Sequence, residues 1–274
     1  MRILPICGTL MLLALPAGAG AADVGNLVEV CGNPNISTEE AVRFCRLALN
    51  TGKLDARAEA QVNANMGVGL FDLGHFAEAA AAYTAALDAE PGMVAAYVNR
   101  ARAYARLNRL DEAAADYAKA LELEPRAADA YLGRGAMLVA HGDPERAIPD
   151  LNMAIRLEPK STAALFNRGL AFLKLGRYDW ALQDFTQVVK RNPEDAAAWT
   201  NRGRARWGLG QPDAAEDFDK AVELDSESAD AWFARGQYHD EHGQREAANA
   251  DFLRAYQLGY SDPWLVQRVR EISG

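Results

Sequence analysis

Proline recurs every 34 residues, at Pro91, Pro125, Pro159 and Pro193. A fixed period of that length constrains a chain to stacked copies of one supersecondary unit, each covering its neighbour's apolar face. Aligned on the prolines, other positions repeat: Asn65-Met66-Gly67, Asn99-Arg100-Ala101, Gly133-Arg134-Gly135, Asn167-Arg168-Gly169 and Asn201-Arg202-Gly203. A sixth copy, Ala234-Arg235-Gly236, arrives one residue early because a residue is missing between Asp213 and Phe218. Small residues return at Ala79, Ala113, Ala147, Ala181, Ala215 and Ala248, and large ones at Tyr83, Tyr117, Leu151, Phe185, Phe218 and Phe252.

Each unit reads as two amphipathic helices joined by a tight turn that holds Gly74, Asn108, Gly142, Gly176, Gly210 or Gly243. Gly accepts the left-handed conformation that ends a helix, and Asn is the next best choice. Gly or Ala in the first helix faces Ala in the second, so the two axes approach closely. The proline closes the pair because it cannot continue a helix. Half the residues are hydrophobic but only 8% are aromatic; an alanine-rich mixture of this kind suits packed helices better than a sheet.

The pattern of a large residue, Gly, Tyr, Ala, Phe, Ala and Pro across 34 positions resembles the tetratricopeptide repeat. The resemblance covers residues 60–260 as six units, 60–93, 94–127, 128–161, 162–195, 196–228 and 229–260. Two departures stand out: Arg replaces the usual Leu before the Gly in five units, and Ser226 and Tyr260 stand where the closing prolines of the last two units belong. The resemblance implies an all-α solenoid of helix-turn-helix repeats, wound into a right-handed superhelix with a concave groove.

Both ends read differently from the repeats. Met1-Arg2, the apolar run Ile3 to Leu15 and Ala19-Gly20-Ala21 have the form of a secretory signal peptide over residues 1–22. The apolar run falls short of the roughly 20 residues that span a membrane, so no stable membrane insertion is expected after its removal. A periplasmic or secreted protein follows. Cleavage removes Cys7 and leaves Cys31 and Cys45, an even pair that forms a disulfide in an oxidising compartment. Residues 23–59 read as a capping segment: coil up to a capping box at Ser37-Thr38-Glu39-Glu40, then a half repeat. Residues 261–274 read as a C-terminal capping helix opened by Pro263.

Lys plus Arg number 29 against 38 Asp plus Glu, a formal charge of −9, and such a chain offers no electrostatic footprint for nucleic acid. No phosphate loop, zinc-protease motif or nucleophile elbow occurs, so no catalytic residue, cofactor or metal is assigned. His239 and His242 stand three apart on one helix, and two His without a third fixed ligand read as a solvated face.

The arginines come with partners. Arg100, Arg134, Arg168, Arg202 and Arg235 are matched by Asp116, Asp150, Asp184, Asp217 and Asp251 on the second helix, while the first unit has Met66 and Ala82 instead. Presence and absence together point to structural ion pairs within each unit.

The family resemblance implies that first helices line the groove and hold a peptide or protein partner. Asn65, Asn99, Asn167 and Asn201 are expected there as exposed amides able to pair with a peptide backbone, or else to bridge neighbouring helices. Phe71, Val98, Leu132, Val139, Phe166, Leu173, Trp207 and Phe233 are the candidate pocket walls, and Arg102, Arg106, Lys174 and Arg204 the basic residues. The family's clamp for C-terminal carboxylates finds Ala64 and Val68 at its places in unit one and is not expected. The resulting expectation is a non-catalytic interaction scaffold of the bacterial cell envelope. The alternative is a self-associating assembly module that uses other surfaces, with a homo-oligomer as its product.

Overall fold

The computed structural model describes residues 24–273, and among them every regular element is an α-helix. The expected signal peptide lies outside the described residues. Two compact units divide between Asn99 and Arg100. The first holds α1 (Val24–Cys31), α2 (Thr38–Asn50), α3 (Ala56–Asp72), α4 (Phe76–Ala89) and the start of α5 (Val94–Arg106).

The second continues with α6 (Leu110–Leu123), α7 (Ala128–Ala140), α8 (Pro144–Leu157), α9 (Thr162–Lys174), α10 (Tyr178–Arg191), α11 (Ala196–Gly208) and α12 (Ala214–Leu224). It ends with α13 (Ala229–Glu241), α14 (Arg245–Gln257) and α15 (Pro263–Ser273). From α3 to α14 the helices form pairs, an odd-numbered first helix followed by an even-numbered second one.

First and second helices start by different chemistry. The side chains of Asp55, Ser161, Asp195 and Ser228 accept hydrogen bonds from the backbone N–H three residues on, capping α3, α9, α11 and α13. Second helices lack such side-chain caps and instead follow a turn. In that turn the backbone reaches back five residues, as where His75 N–H donates to Leu70 O and Arg177 N–H to Phe172 O. This closure satisfies the orphan carbonyls of the first helix and needs one left-handed residue. Asn108 supplies it in the second pair at φ 58°, the one non-glycine among the described residues with positive φ.

Packing within five of the six pairs sets a large second-helix side chain against a first-helix glycine, and not, as the sequence predicts, the second-helix alanine against it; the second pair has Ala101 at that place. A Cβ added at Gly203 would lie 2.8 Å from the Phe218 ring, so only glycine lets α11 and α12 sit this close. Phe218 is thereby fully buried, a gain of roughly 2–3 kcal/mol over leaving such a ring in water. The residue missing after Asp213 shows as a shortened α12, 11 residues where α10 has 14.

Three further sequence expectations change. The stretch before α2 is helical, not coil: Leu27 and Cys31 lie four apart in α1 and are buried with Cys45, Ala48 and Val62, an interior that eight residues of isolated sequence do not reveal. The first pair begins at Ala56, capped by Asp55, rather than at 60. The joint between Cys31 and Cys45, S–S 2.07 Å, therefore links helix to helix. Ser37 accepts from Glu40 N–H while the Glu40 carboxylate accepts from Ser37 N–H, closing a capping box.

Candidate functional site

Arginine and aspartate meet across every later pair. Nε and Nη2 of each Arg donate to the two carboxylate oxygens of its partner: Arg100 to Asp116 at 2.8 and 2.8 Å, Arg134 to Asp150 at 2.6 and 2.7 Å, Arg168 to Asp184 at 2.8 and 2.7 Å. Arg202 reaches Asp217 at 2.9 and 2.6 Å, and Arg235 reaches Asp251 at 2.8 and 2.8 Å. All five carboxylates are buried. Hydrogen bonding to Asp150 and Asp251 raises Arg134 and Arg235 above the ordinary arginine range. Aromatic rings add a second contact, with Arg202 lying 4.3 Å over Trp199 and Arg235 4.8 Å over Trp232.

Two residues past each of these arginines, and about 200° round the helix, the first helices present Arg102, Ala136, Leu170, Arg204 and Gln237. This is the face expected to bind, and the structure alters much of that expectation. Asn201 is buried, and its amide donates to Ala197 O at 2.9 Å; Asn167 does the same to Ala163 O at 2.9 Å. Asn65 accepts from Gln61 at 2.9 Å. Asparagine within a helix competes for the carbonyl four residues back, so one of the two amide N–H groups of Asn167 and of Asn201 is used inside its own helix. Asn99 is half-buried.

The basic residues are engaged too. Arg204 donates to Asp230 on the next first helix at 2.9 and 2.6 Å and to Asn201 at 3.2 Å, and Arg102 lies 3.7 Å from Asp129. Nζ of Lys174 donates to Val139 O at 2.7 Å, completing an acceptor at the end of α7. Arg106 is exposed.

Among the apolar candidates, Val98, Val139 and Phe233 are buried and belong to the packing rather than to open pockets. Leu132 packs on Val139 and Leu151, Phe166 stands edge-on to Phe185 at 5.5 Å, and Phe71 meets Phe76 at 5.1 Å.

What the second unit does bring together is Leu173, Arg204 and Trp207. They line a cavity of about 560 Å³ with Tyr178, Gly208, Gln237 and Glu241. The Trp207 indole is fixed edge-on to Phe218 at 6.4 Å and to Tyr238 at 6.0 Å, so one side is packed and the cavity takes the other.

Gly208 admits the Tyr178 ring, which forms one wall of the cavity. The equivalent residues elsewhere are Asp72, Arg106, Ala140, Lys174 and Glu241, and a Cβ here would lie 2.7 Å from the Tyr178 ring. That lone glycine was the signal available in the sequence. The cavity offers an aromatic wall, the Gln237 amide as donor and acceptor, and Arg204 and Glu241 as opposite charges. It suits an aromatic or aliphatic side chain presented by a polar backbone.

No group of three or more His, Cys, Asp or Glu is placed to hold a metal among the described residues. His239 faces Gln244 and lies 3.7 Å from Asp251, while His242 stacks on Tyr238 at 4.1 Å. No described helix is long and apolar enough to cross a membrane.

The tetratricopeptide repeat profile matches residues 65–128, 108–162, 138–185, 166–218 and 204–263. A tetratricopeptide repeat protein from Parabacteroides merdae shares 21% identity at TM-score 0.70, covering 89% of this chain and 96% of its own. YrrB, described as having an unusual peptide-binding site, shares 26% identity at TM-score 0.53 over 70% of this chain and 97% of its own. PilW, a type IV pilus biogenesis factor, shares 21% identity at TM-score 0.68 over 77% of this chain and 97% of its own. No curated protein matches the sequence. The repeats make the chain a protein-interaction scaffold, and with the profile spanning most of its length the chain belongs to the tetratricopeptide repeat family.

Proposed function

We propose that the protein is an exported, non-catalytic scaffold of the cell envelope that holds a peptide or protein segment against the first-helix face of α9, α11 and α13. The observation that carries this reading is the cavity beside Trp207, an aromatic wall flanked by Gln237, Arg204 and Glu241. Interfaces take most of their energy from such aromatic anchors in partly enclosed pockets. The basic residues near it are internally paired, so recognition rests on shape and the Gln237 amide rather than on an acidic partner. The peptide-binding site named for YrrB, a relative of similar fold, supports the reading. The signal-like start and the Cys31–Cys45 bond support export.

The test places a photo-crosslinking amino acid at Gln237 in the full-length protein in its own cells, with and without Trp207→Ala. A crosslinked partner lost on Trp207→Ala, with helix content unchanged by circular dichroism, is the expected result. Crosslinks only to a second copy of this chain would replace the reading with the self-associating module. Crosslinks indifferent to Trp207 would remove the cavity from the binding surface. Mass spectrometry of the exported protein checks the rest: its N-terminus lies near Ala22 or Asp23, and two free thiols would contradict export into an oxidising compartment.

A further inference from the structure

The five arginines differ in what their third nitrogen meets. Nε and Nη2 are used within the pair, and in two of the five Nη1 reaches the preceding second helix. In α9, Nη1 of Arg168 donates to Asn152 Oδ1 on α8 at 2.7 Å; in α13, Nη1 of Arg235 donates to Asp219 Oδ1 on α12 at 2.8 Å. Both acceptors lie sixteen residues before the arginine, on the exposed side of the second helix.

The residue sixteen before Arg134 is Ala118 on α6, exposed and without a polar atom to offer. Among the described residues no acceptor meets Nη1 of Arg134, whose side chain is 29% exposed. Beside it a cavity of about 340 Å³ opens between α6 and α8, walled by Ala114, Met137, Leu138 and Pro149, with Asp150 and Arg146 completing its lining. Arg202, with Thr186 at the corresponding place, is less open: it is 12% exposed and lies 4.3 Å over Trp199, where Arg134 lies 6.0 Å from Tyr131.

We propose that this cleft binds a carboxylate side chain of a protein or peptide partner, Arg134 Nη1 donating from the floor and Arg146 closing from the rim. The molecule displays the bound arrangement in its own sixth pair, where one guanidinium, Arg235, holds Asp251 and Asp219 at once. A guanidinium has five N–H groups in a planar fork, so a second carboxylate costs the first one nothing in geometry. Among the described residues Arg146 is held only by Asp143, an exposed i,i+3 pair at 3.0 Å, and such pairs are weak enough to exchange partners. Met137 and Pro149 cover the methylenes of an incoming Glu. The cleft lies on the second-helix side, away from the Trp207 cavity, and the inference stands apart from the reading of that cavity.

The test uses the full mature chain, labelled with ¹⁵N, titrated with N-acetylglutamate N-methylamide, its glutamine analogue and inorganic phosphate. Saturable amide shifts confined to α6, α7 and α8, at least tenfold stronger for the glutamate compound than for either control, are expected. Ala118→Asp places a carboxylate where Asp219 stands and is expected to weaken the response at least tenfold. Arg134→Met with Asp150→Ala, which copies the natural Met66 and Ala82, does the same in a folded protein. Equal response to glutamate and glutamine compounds, or a response unchanged in both variants, overturns the proposal. Phosphate binding as well as the glutamate compound would make the cleft a free-anion site and overturn the partner side chain. If Ala118→Asp disturbs helix content, the double variant alone decides.

Discussion

The pairs α3–α4 and α9–α10 bury the same kinds of small and aromatic residues but differ at one place. In the later pair Arg168 and Asp184 meet in a bidentate bond, with Asn152 on a third donor. In the earlier pair Met66 and Ala82 occupy those positions and line a cavity of about 330 Å³ with Leu70 and Ala85. That cavity is spanned by an ion pair between the second-helix positions, Arg46 to Glu78 at 2.9 Å. Both pairs form, so the close approach of helix axes comes from the glycine and alanine contacts and not from the ion pair. A buried pair of charges loses on desolvation about what it gains by attraction. What it adds is one allowed geometry, fixing how first helix, second helix and preceding second helix register. A disulfide lies just ahead of that earlier pair, between α1 and α2.

The strongest way to break this comparison is to remove one charge of a pair. Asp184→Ala leaves Arg168 buried without its partner and is expected to cost about 3–5 kcal/mol, whereas Arg168→Met with Asp184→Ala, copying the first pair, costs about 1 kcal/mol as a near volume-conserving swap. Urea denaturation, with hydrogen exchange of α9 and α10 to localise the loss, checks it. Equal losses would mean the two residues do not act as a pair.

Next comes the covalent constraint. Its two cysteines are 14 apart, and a loop of that size is worth about 3 kcal/mol on the chain-entropy account. Cys31→Ala with Cys45→Ala is expected to lower exchange protection in α1 and α2 by that amount and to leave α9 to α14 unchanged. A loss spread evenly over the chain would contradict the local reading.

A pH series sharpens the point that burial carries a charge-state cost. Desolvation pushes the Tyr117 hydroxyl up to about 12, partly offset by Arg102. An acid whose folded pKa is raised binds its proton more tightly when folded. Its stabilisation is therefore complete below the unfolded value near 10 and is lost as pH rises towards 12. Two pKa steps correspond to about 3 kcal/mol at most. Tyr117→Phe should flatten the alkaline fall in unfolding free energy relative to wild type, and identical slopes for the two proteins would refute this.

The smallest effect is expected from building the ion pair into the first unit. Met66→Arg with Ala82→Asp should change stability by about 1 kcal/mol or less, attraction offset by desolvation. A gain well above that in thermal melts would make the arginine pairs a principal source of stability rather than a device for register.

The amino-acid sequence by itself determined the helix pairs, their turns and the places of their small and large residues, but not that the first-helix glycine packs on the large residue of the second helix rather than on its alanine. Each of these is a local constraint met again every 34 residues, so six copies report the same physics. The joint occurrence of arginine and aspartate was legible for the same reason, as was the absence of both from Met66 and Ala82.

Only the tertiary structure decided which polar atoms remain available. Asn167 and Asn201 look identical to free groove amides until their bonds to Ala163 and Ala197 are seen. Lys174 is claimed by a carbonyl 35 residues earlier, and Arg204 by Asp230, 26 residues later. The helical state of α1 and the space at Gly208 also needed the fold. An eight-residue helix is too short to form without packing, and what a missing Cβ admits, here the Tyr178 ring as a cavity wall, shows only in the packed chain. Periodicity encodes what each repeat must do alone; satisfaction of donors and acceptors depends on which groups the packed chain brings within 3 Å or so of one another.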